Sequence, residues 1–450
     1  MAKVIKLRKG LDINLNGVAD KITNKVAPSS LYALIPDDFT GVIPKVVVRE
    51  GDRVKAGSPL FVNKRCPSVC FVSPVSGTVS CVERGDKRKV LSIQVVPDAE
   101  QTYVEFEKIQ VEGTSAEAMV QYLAKTGLLG YMKQRPYDVV VSPEDKPKAI
   151  FVSAFNTMPL AADFSYVVKG QEAIFQQGLD ALACIAPVHV GISPEQANGF
   201  MANLKNVDMT VFDGPNPAGN VGVHINHVNP INKGEIIWTI GAEEVLFIGR
   251  LMQTGKVDLT RIIAIGGSEV KRPSYYSVKV GAQTASLLKD QLCSEEHTRI
   301  ISGNPLVGYP VSLNGFLGAH ATEVTVIPEG DDIHELLGWI SPRFNQFSVN
   351  RSYFSWLLGK KKTYSLDARV KGGERHIIMS GEYDRVFPMD IYAGYLIKAI
   401  LTGDIDRMEA LGIYEVAPED FAVAEFVDSS KLELQRIVRQ GLDMLRKEMA

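Results

Sequence analysis

The hydrophobic pattern changes period near Gly113, and that change restricts the chain to a composite architecture. Upstream, from Tyr32 to about Pro97, apolar runs are short: Val46-Val47-Val48, Leu60-Phe61-Val62 and Val69-Cys70-Phe71-Val72. Turn pairs separate them at Gly51-Asp52, Ala56-Gly57, Ser76-Gly77 and Gly85-Asp86. Runs this short, punctuated this evenly, predict a small β-sandwich or barrel. Downstream, Thr114 and Glu117 form a capping-box pattern ahead of a helix. Residues 149–152 read as a strand, 170–182 as a helix and 183–186 as a strand. A further helix opens at Ser193-Pro194, followed by a strand at 209–212 and a helix at 243–252. Such alternation predicts an α/β layer on a mainly parallel sheet.

From Arg261 to about Pro328 strand and turn signals return, around Ile262-Ile263-Ala264-Ile265, Gly266-Gly267, Arg299-Ile300-Ile301 and Val324-Thr325-Val326-Ile327, as in a small α+β insert. After Asp331 helices are expected to dominate, at 390–401, 404–411, 418–426 and 430–449; the last carries Leu432, Ile437, Leu442 and Leu445 on one face.

The longest helix-like apolar stretch, 391–401, is too short to span a bilayer and contains Lys398. The basic N-terminus has no apolar segment after it, so no signal peptide is expected. Any membrane role is therefore expected to run through partners. With 49 Lys+Arg against 52 Asp+Glu, net charge is −3, which gives no global attraction to nucleic acid or anionic lipid. Five cysteines, Cys66, Cys70, Cys81, Cys184 and Cys293, argue against a disulfide framework and favour the cytoplasm.

The stretches Gly51-Asp52-Arg53-Val54-Lys55-Ala56-Gly57-Ser58-Pro59-Leu60 and Val72-Ser73-Pro74-Val75-Ser76-Gly77-Thr78-Val79 resemble the two symmetry-related halves of biotinyl/lipoyl domains. In those families a modified lysine sits at the hairpin tip between the halves. Here that spacing lands on Cys66-Pro67, with Lys64 two residues early, so a packing or docking module is favoured over a carrier.

Over its full length the chain resembles the NqrA family, the A subunits of the Na(+)-translocating NADH–quinone reductase. The order of modules, the opening Lys6-Leu7-Arg8-Lys9-Gly10-Leu11-Asp12 and the stretch Gly381-Glu382-Tyr383-Asp384-Arg385-Val386-Phe387-Pro388-Met389-Asp390 carry the resemblance. That family is in turn similar to the C subunit of the Rnf complex and to the NADH- and FMN-binding subunit of complex I. The resemblance implies four parts: a biotinyl/lipoyl-like β-module with an N-terminal extension at 1–110, a Rossmann-like α/β domain lacking the glycine loop at 111–258, an SLBB-like α+β domain at 259–330, and a C-terminal helical domain lacking Fe–S cysteines at 331–450.

Three cofactor features are eroded against those relatives. A glycine loop can cradle flavin phosphate because no Cβ blocks the amides. The corresponding place here reads Gly127-Leu128-Leu129-Gly130-Tyr131-Met132-Lys133-Gln134-Arg135, in which only Gly127 and Gly130 survive and Tyr131 and Met132 obstruct. Lys133 and Arg135 can attract an anion, or be solvated at a helix end. Gly241-Ala242-Glu243-Glu244 resembles the segment lining the flavin and nicotinamide cleft; its carboxylates suit acid–base work, or simply the dipole of a helix first turn. Fe–S clusters need thiolates, and no cysteine follows Cys293.

Other constellations are ordinary. Cys66 and Cys70 would need two more ligands for zinc. His224 and His227 lie on opposite faces of a strand, or in a polar loop. The turn-rich stretch Asp213-Gly214-Pro215-Asn216-Pro217-Ala218-Gly219-Asn220 is a cleft wall or a contact with another subunit. Gly266-Gly267-Ser268 is a weak match to a nucleotide loop, and no catalytic or metal site is expected.

The resemblance implies a peripheral subunit on the cytoplasmic face of the bacterial inner membrane, without a cofactor of its own and inactive in isolation. Its complex uses NADH, flavins, Fe–S, quinone and Na(+). Partners are the other subunits of the reductase, especially its membrane-embedded B subunit, with quinone a further candidate. Two alternatives are an independent FMN- or NADH-binding oxidoreductase and a non-enzymatic carrier with a modified lysine.

Overall fold

The computed structural model describes residues 3–333 and 337–449, and four sheets organise them. Two small sheets build the N-terminal module. One has the order Tyr32–Leu34, Val90–Pro97, Gly77–Arg84, Arg53–Val54; the other has Pro44–Val46, Pro59–Asn63, Cys70–Val72. This is the barrel-sandwich that the short apolar runs predict. Phe61 stacks on Phe71 at 4.5 Å between ring centroids, with Phe39 tilted against Phe71 at the same distance. The two halves bond at their turns: the Gly57 amide donates to the Ser73 carbonyl (2.9 Å) and the Ser73 amide to that of Ser58 (2.8 Å). Cys66-Pro67 occupies the hairpin tip, and Lys64 sits on its shoulder with its amide bonded to the Ile43 carbonyl at 2.8 Å.

The third sheet has seven strands. Lys3–Lys6, Asp208–Asp213, Val188–Ile192, Ala149–Ser153 and Ile237–Gly241 run parallel, and Lys133–Arg135 and Val139–Val140 extend one edge antiparallel. One face (Ile150, Val152, Val190, Ile240) packs under the helices Glu172–Ala183 and Ala242–Thr254, in a core that continues into the β-module. The other face (Ala149, Phe151, Phe212, Ile237) meets the helix Val221–Val228 and the C-terminal helices.

Several local expectations change. Ser115, not Thr114, caps the helix Ala116–Lys125 by accepting from the Ala118 amide, while the Thr114 hydroxyl donates to the Gln110 carbonyl. Ala183 ends the helix Glu172–Ala183 and residues 184–186 form a turn instead of a strand, which starts at Val188 after Pro187. Ser193-Pro194 opens no α-helix. The Gln196 side chain takes up the Ser193 amide (2.9 Å), and extended Gly199 splits the segment into two 3-10 turns, Gln196–Asn198 and Phe200–Asn203.

The fourth sheet runs Tyr309–Val311, Thr298–Ser302, Glu323–Pro328, Thr260–Gly266, Ser274–Lys279, Asp20–Lys25. The N-terminal segment thus straps two later sheets together. Lys3–Lys6 edges the third sheet and Asp20–Lys25 the fourth. Between them Gly10 crosses Asn216 and Gly17 crosses Gly267, where a Cβ would lie 2.4 and 2.2 Å from carbonyl oxygens. Gly266-Gly267 serves this crossing and no nucleotide loop.

Among the described residues of 331–381 the helical elements are the short 3-10 turns Gly338–Ile340 and Phe354–Leu358, so helices dominate later than Asp331. The α-helices begin with Glu382–Val386 and continue with Ala393–Thr402, Ile405–Ala410, Ala422–Val427 and Leu434–Glu448. Among the described residues no helix is long and apolar enough to cross a membrane.

Candidate functional site

A cavity of about 280 Å³ opens at the carboxyl ends of Ala149–Ser153 and Ile237–Gly241, where α/β sheets commonly hold ligands. Its walls include the Gly219-Asn220 turn, the start of the helix Ala242–Thr254 and the edge strand Lys133–Arg135, with Asn304, His320 and Thr322 reaching in from the fourth sheet.

Glu243 and Glu244 occupy the first helical turn, as expected, but they are buried rather than solvated. Gly241 makes room for this: its missing Cβ would stand 2.1 Å from a Glu244 carboxylate oxygen. Both carboxyls face Arg261, itself fully buried, whose Nη2 donates to Glu244 at 2.8 Å while Nε lies 3.7 Å from Glu243. Arg261 also donates to the Ala321 carbonyl (2.6 Å) and lies over the Phe247 ring. Burial pushes Glu243 up to about 8, because Arg261 only partly offsets it and Glu244 and Glu323 repel its charge. Burial acts on Glu244 too, yet Arg261 and His320 outweigh it and hold Glu244 at about 2. At neutral pH one carboxyl is therefore a proton donor and its neighbour an anion, a division of roles suited to acid–base chemistry.

His320 stands edge-on to Phe39 and Tyr131, with ring centroids 5.6 and 5.5 Å away, and its Nδ1 is 3.8 Å from Glu244. Among the described residues, four buried polar atoms of cavity-lining side chains have no hydrogen-bond partner: the Tyr131 hydroxyl, Arg135 Nε, Glu243 Oε2 and His320 Nε2. Unpaired buried groups are costly, so this concentration marks the cavity as a place for a polar ligand or water.

Gly127 and Gly130 lie elsewhere. A Cβ on Gly127 would meet Val72 at 2.8 Å, and one on Gly130 would meet the Phe71 ring at 2.6 Å. Both let the α/β domain close onto the β-module. Tyr131 beside them is buried, and burial raises its hydroxyl pKa strongly. Arg135 is neither at a helix end nor solvated. It is buried in the strand Lys133–Arg135 and donates to Asp420 (3.0 Å), Glu419 (3.2 Å) and the Glu415 carbonyl (2.9 Å), which ties the cleft to the C-terminal part. Lys133 keeps a looser contact, 3.7 Å to Asp138.

His224 and His227 fall on the helix Val221–Val228, neither strand nor loop. Each bonds a backbone carbonyl at 2.9 Å, Ala218 and Val223 respectively, and burial drops His224 to about 4. The Cys70 thiol donates to the Ala124 and Lys125 carbonyls, with burial raising its pKa to about 11. The turn before that helix does wall the cleft through Gly219 and Asn220. Its Asn216 also receives the N-terminal segment, with the Leu11 amide at 2.7 Å. Sequence reading missed Arg261 and His320. Arg261 lies inside an apolar strand run, where its charge is the only available signal, and His320 is distant in sequence from everything it touches.

Three family models match: the NqrA N-terminal barrel-sandwich hybrid domain over residues 5–98, the NqrA second alpha/beta domain over 114–257, and the NQRA C-terminal domain over 262–312. The A subunit of the Na(+)-translocating NADH-quinone reductase from Haemophilus influenzae (strain ATCC 51907 / DSM 11121 / KW20 / Rd) is 34% identical over 99% of this chain and 100% of its own. Its counterpart from Yersinia pestis bv. Antiqua (strain Angola) is 34% identical, and that from Neisseria meningitidis serogroup A / serotype 4A (strain DSM 15465 / Z2491) 33% identical, with the same shares covered. Among solved structures, a chain of NAD+-reducing [NiFe]-hydrogenase in the H2-reduced state overlaps 51% of this chain and 52% of its own at 12% identity and a TM-score of 0.34. Identity at this level, sustained from end to end, shows that the chain belongs to the NqrA family, the A subunits of the Na(+)-translocating NADH-quinone reductase, an oxidoreductase complex.

Proposed function

We propose that this protein works without a flavin of its own. It docks on the membrane-embedded subunits of the reductase at the cytoplasmic face of the inner membrane, the B subunit above all, and supports electron transfer to quinone coupled to sodium export. NADH, flavin and Fe–S chemistry then belong to its partners. The observation that carries this reading is the employment of Gly127 and Gly130: both are taken up by Val72 and Phe71 of the β-module, and buried Tyr131 stands beside them. In this reading the chain divides into four parts at 110, 258 and 330, the last being the C-terminal helical domain without Fe–S cysteines. Calorimetry of the purified chain with FMN, and separately with NADH, should give no saturable heat. Saturable FMN or NADH binding would overturn the reading in favour of an independent oxidoreductase. An unmodified intact mass removes the carrier with a modified lysine.

The cleft favours a second role beside the first. The Tyr131 hydroxyl and protonated Glu243 are donors without a hydrogen-bond partner on side chains that line an open cavity of mixed polarity, and a quinone head group offers two carbonyl acceptors. Under this reading a water-soluble quinone analogue binds the chain and Glu243→Ala weakens it. Equal affinity for both proteins would remove quinone from the cleft.

A further inference from the structure

The stretch from Ser341 to Leu366 is unlike the rest of the chain. It contains Arg343, Arg351, Lys360, Lys361 and Lys362 and no Asp or Glu, within a protein whose net charge is −3. At its centre, in the 3-10 turn Phe354–Leu358, Ser355 is fully buried. The four apolar side chains around it are exposed: Phe354 is 54% exposed, Trp356 44%, Leu357 60% and Leu358 49%. Arg351 lies over the Trp356 ring at 5.0 Å, and Lys360 and Lys361 follow immediately, exposed. Phe344, tilted against Phe354 with ring centroids 6.1 Å apart, is also exposed.

Leaving four large apolar side chains in water on one short turn is costly, so such a patch marks an interaction site. Its shape and charge narrow the partner. The side chains protrude from a turn and do not line a groove, so they suit insertion more than capture of a peptide. Tryptophan and leucine at a tip, in a segment with lysine and arginine and no acidic residue of its own, are the composition of an interfacial anchor. The rings enter the boundary between headgroups and acyl chains, and the cations stay with the phosphates. We propose that this turn contacts the membrane directly, as a shallow anchor on anionic phospholipid, in addition to whatever the molecule gains from protein partners. The overall negative charge then helps to orient the molecule, because this basic face is drawn toward an anionic surface.

The test is co-sedimentation of the full-length chain with vesicles of phosphatidylcholine, with and without phosphatidylglycerol. Binding is expected to the phosphatidylglycerol vesicles only, and to fall as salt rises. Trp356→Ser with Leu357→Ser, and separately Lys360→Gln with Lys361→Gln, should each lower binding by about tenfold or more, since each basic residue near such a surface contributes several-fold. Both sets replace solvent-facing side chains, so unchanged thermal unfolding verifies that folding is intact. Failure of the wild type to bind overturns the proposal, as does binding that neither set weakens. If the variants alter only self-association in sedimentation velocity, or only recovery with the membrane-embedded partners, the turn is a protein interface and the proposal is wrong. None of these outcomes depends on whether a flavin or quinone enters the cleft.

Discussion

Arg261 and Glu243 show how much of the cleft depends on single charges. Arg261 is the main counter-ion of a buried carboxylate, so Arg261→Met leaves Glu244 in the interior with only His320 beside it. The expected loss is about 3–5 kcal/mol in urea denaturation, and adding Glu244→Gln should restore a large part of it. Glu243 behaves oppositely. Its pKa is raised from the ordinary 4.5 to about 8 in the folded protein. Below about 4.5 the folded and unfolded chains are both protonated there. Between the two values the folded state holds a proton that the unfolded state has lost, so stability falls as pH rises, and above about 8 the full penalty is present. Wild type should therefore lose stability relative to Glu243→Gln on going from about pH 5 to about pH 8, measured as the gap between denaturation midpoints. A gap independent of pH would show that Glu243 is ionised throughout. The glutamates themselves were legible in the sequence from their place after Gly241. Their burial was not, because the neighbours that bury them arrive from 261 and 320.

At the scale of elements, the helices Glu172–Ala183 and Ala242–Thr254 approach each other through glycine. A Cβ on Gly249 would lie 1.9 Å from the Ile174 carbonyl oxygen, and one on Gly178 would lie 2.3 Å from that of Val245. Alanine is the better helix former by about 1 kcal/mol, but forcing two backbones apart costs about 1–3 kcal/mol. Gly249→Ala is expected to destabilise; a rise in the chemical denaturation midpoint would show that the helices can separate freely. The helices were readable from their 3.6-residue apolar period, and the parallel strands from their runs of Val, Ile and Phe. What the pattern hid was punctuation. Pro187 and Gly199 each reset a boundary, and the Gln196 side chain replaced a helix with a turn by taking one amide.

For the whole molecule, the N-terminal strap decides how the parts hold together. Deleting residues 1–28 uncovers the edges at Asp208–Asp213 and Ser274–Lys279. Hydrogen exchange should then quicken along both strands and stay unchanged at Val79 and Ile93 inside the β-module. Uniform protection would mean that the strap is ornamental. No sequence rule exposes this pairing. Asp20–Lys25 is exposed along its whole length, so it carries no alternation of polar and apolar residues to name a partner.

The same strap sets an order of events during synthesis. Lys3–Lys6 leaves the ribosome about 200 residues before its partner strand exists, a wait on the order of ten to forty seconds at ordinary elongation rates. Asp20–Lys25 waits longer, for Ser274–Lys279. For that interval the nascent chain trails two unpaired strands, with Val4 and Ile22 uncovered even in the finished fold. Lys3, Lys6, Lys21 and Lys25 punctuate those strands with charge, which discourages premature pairing between neighbouring chains on one polysome.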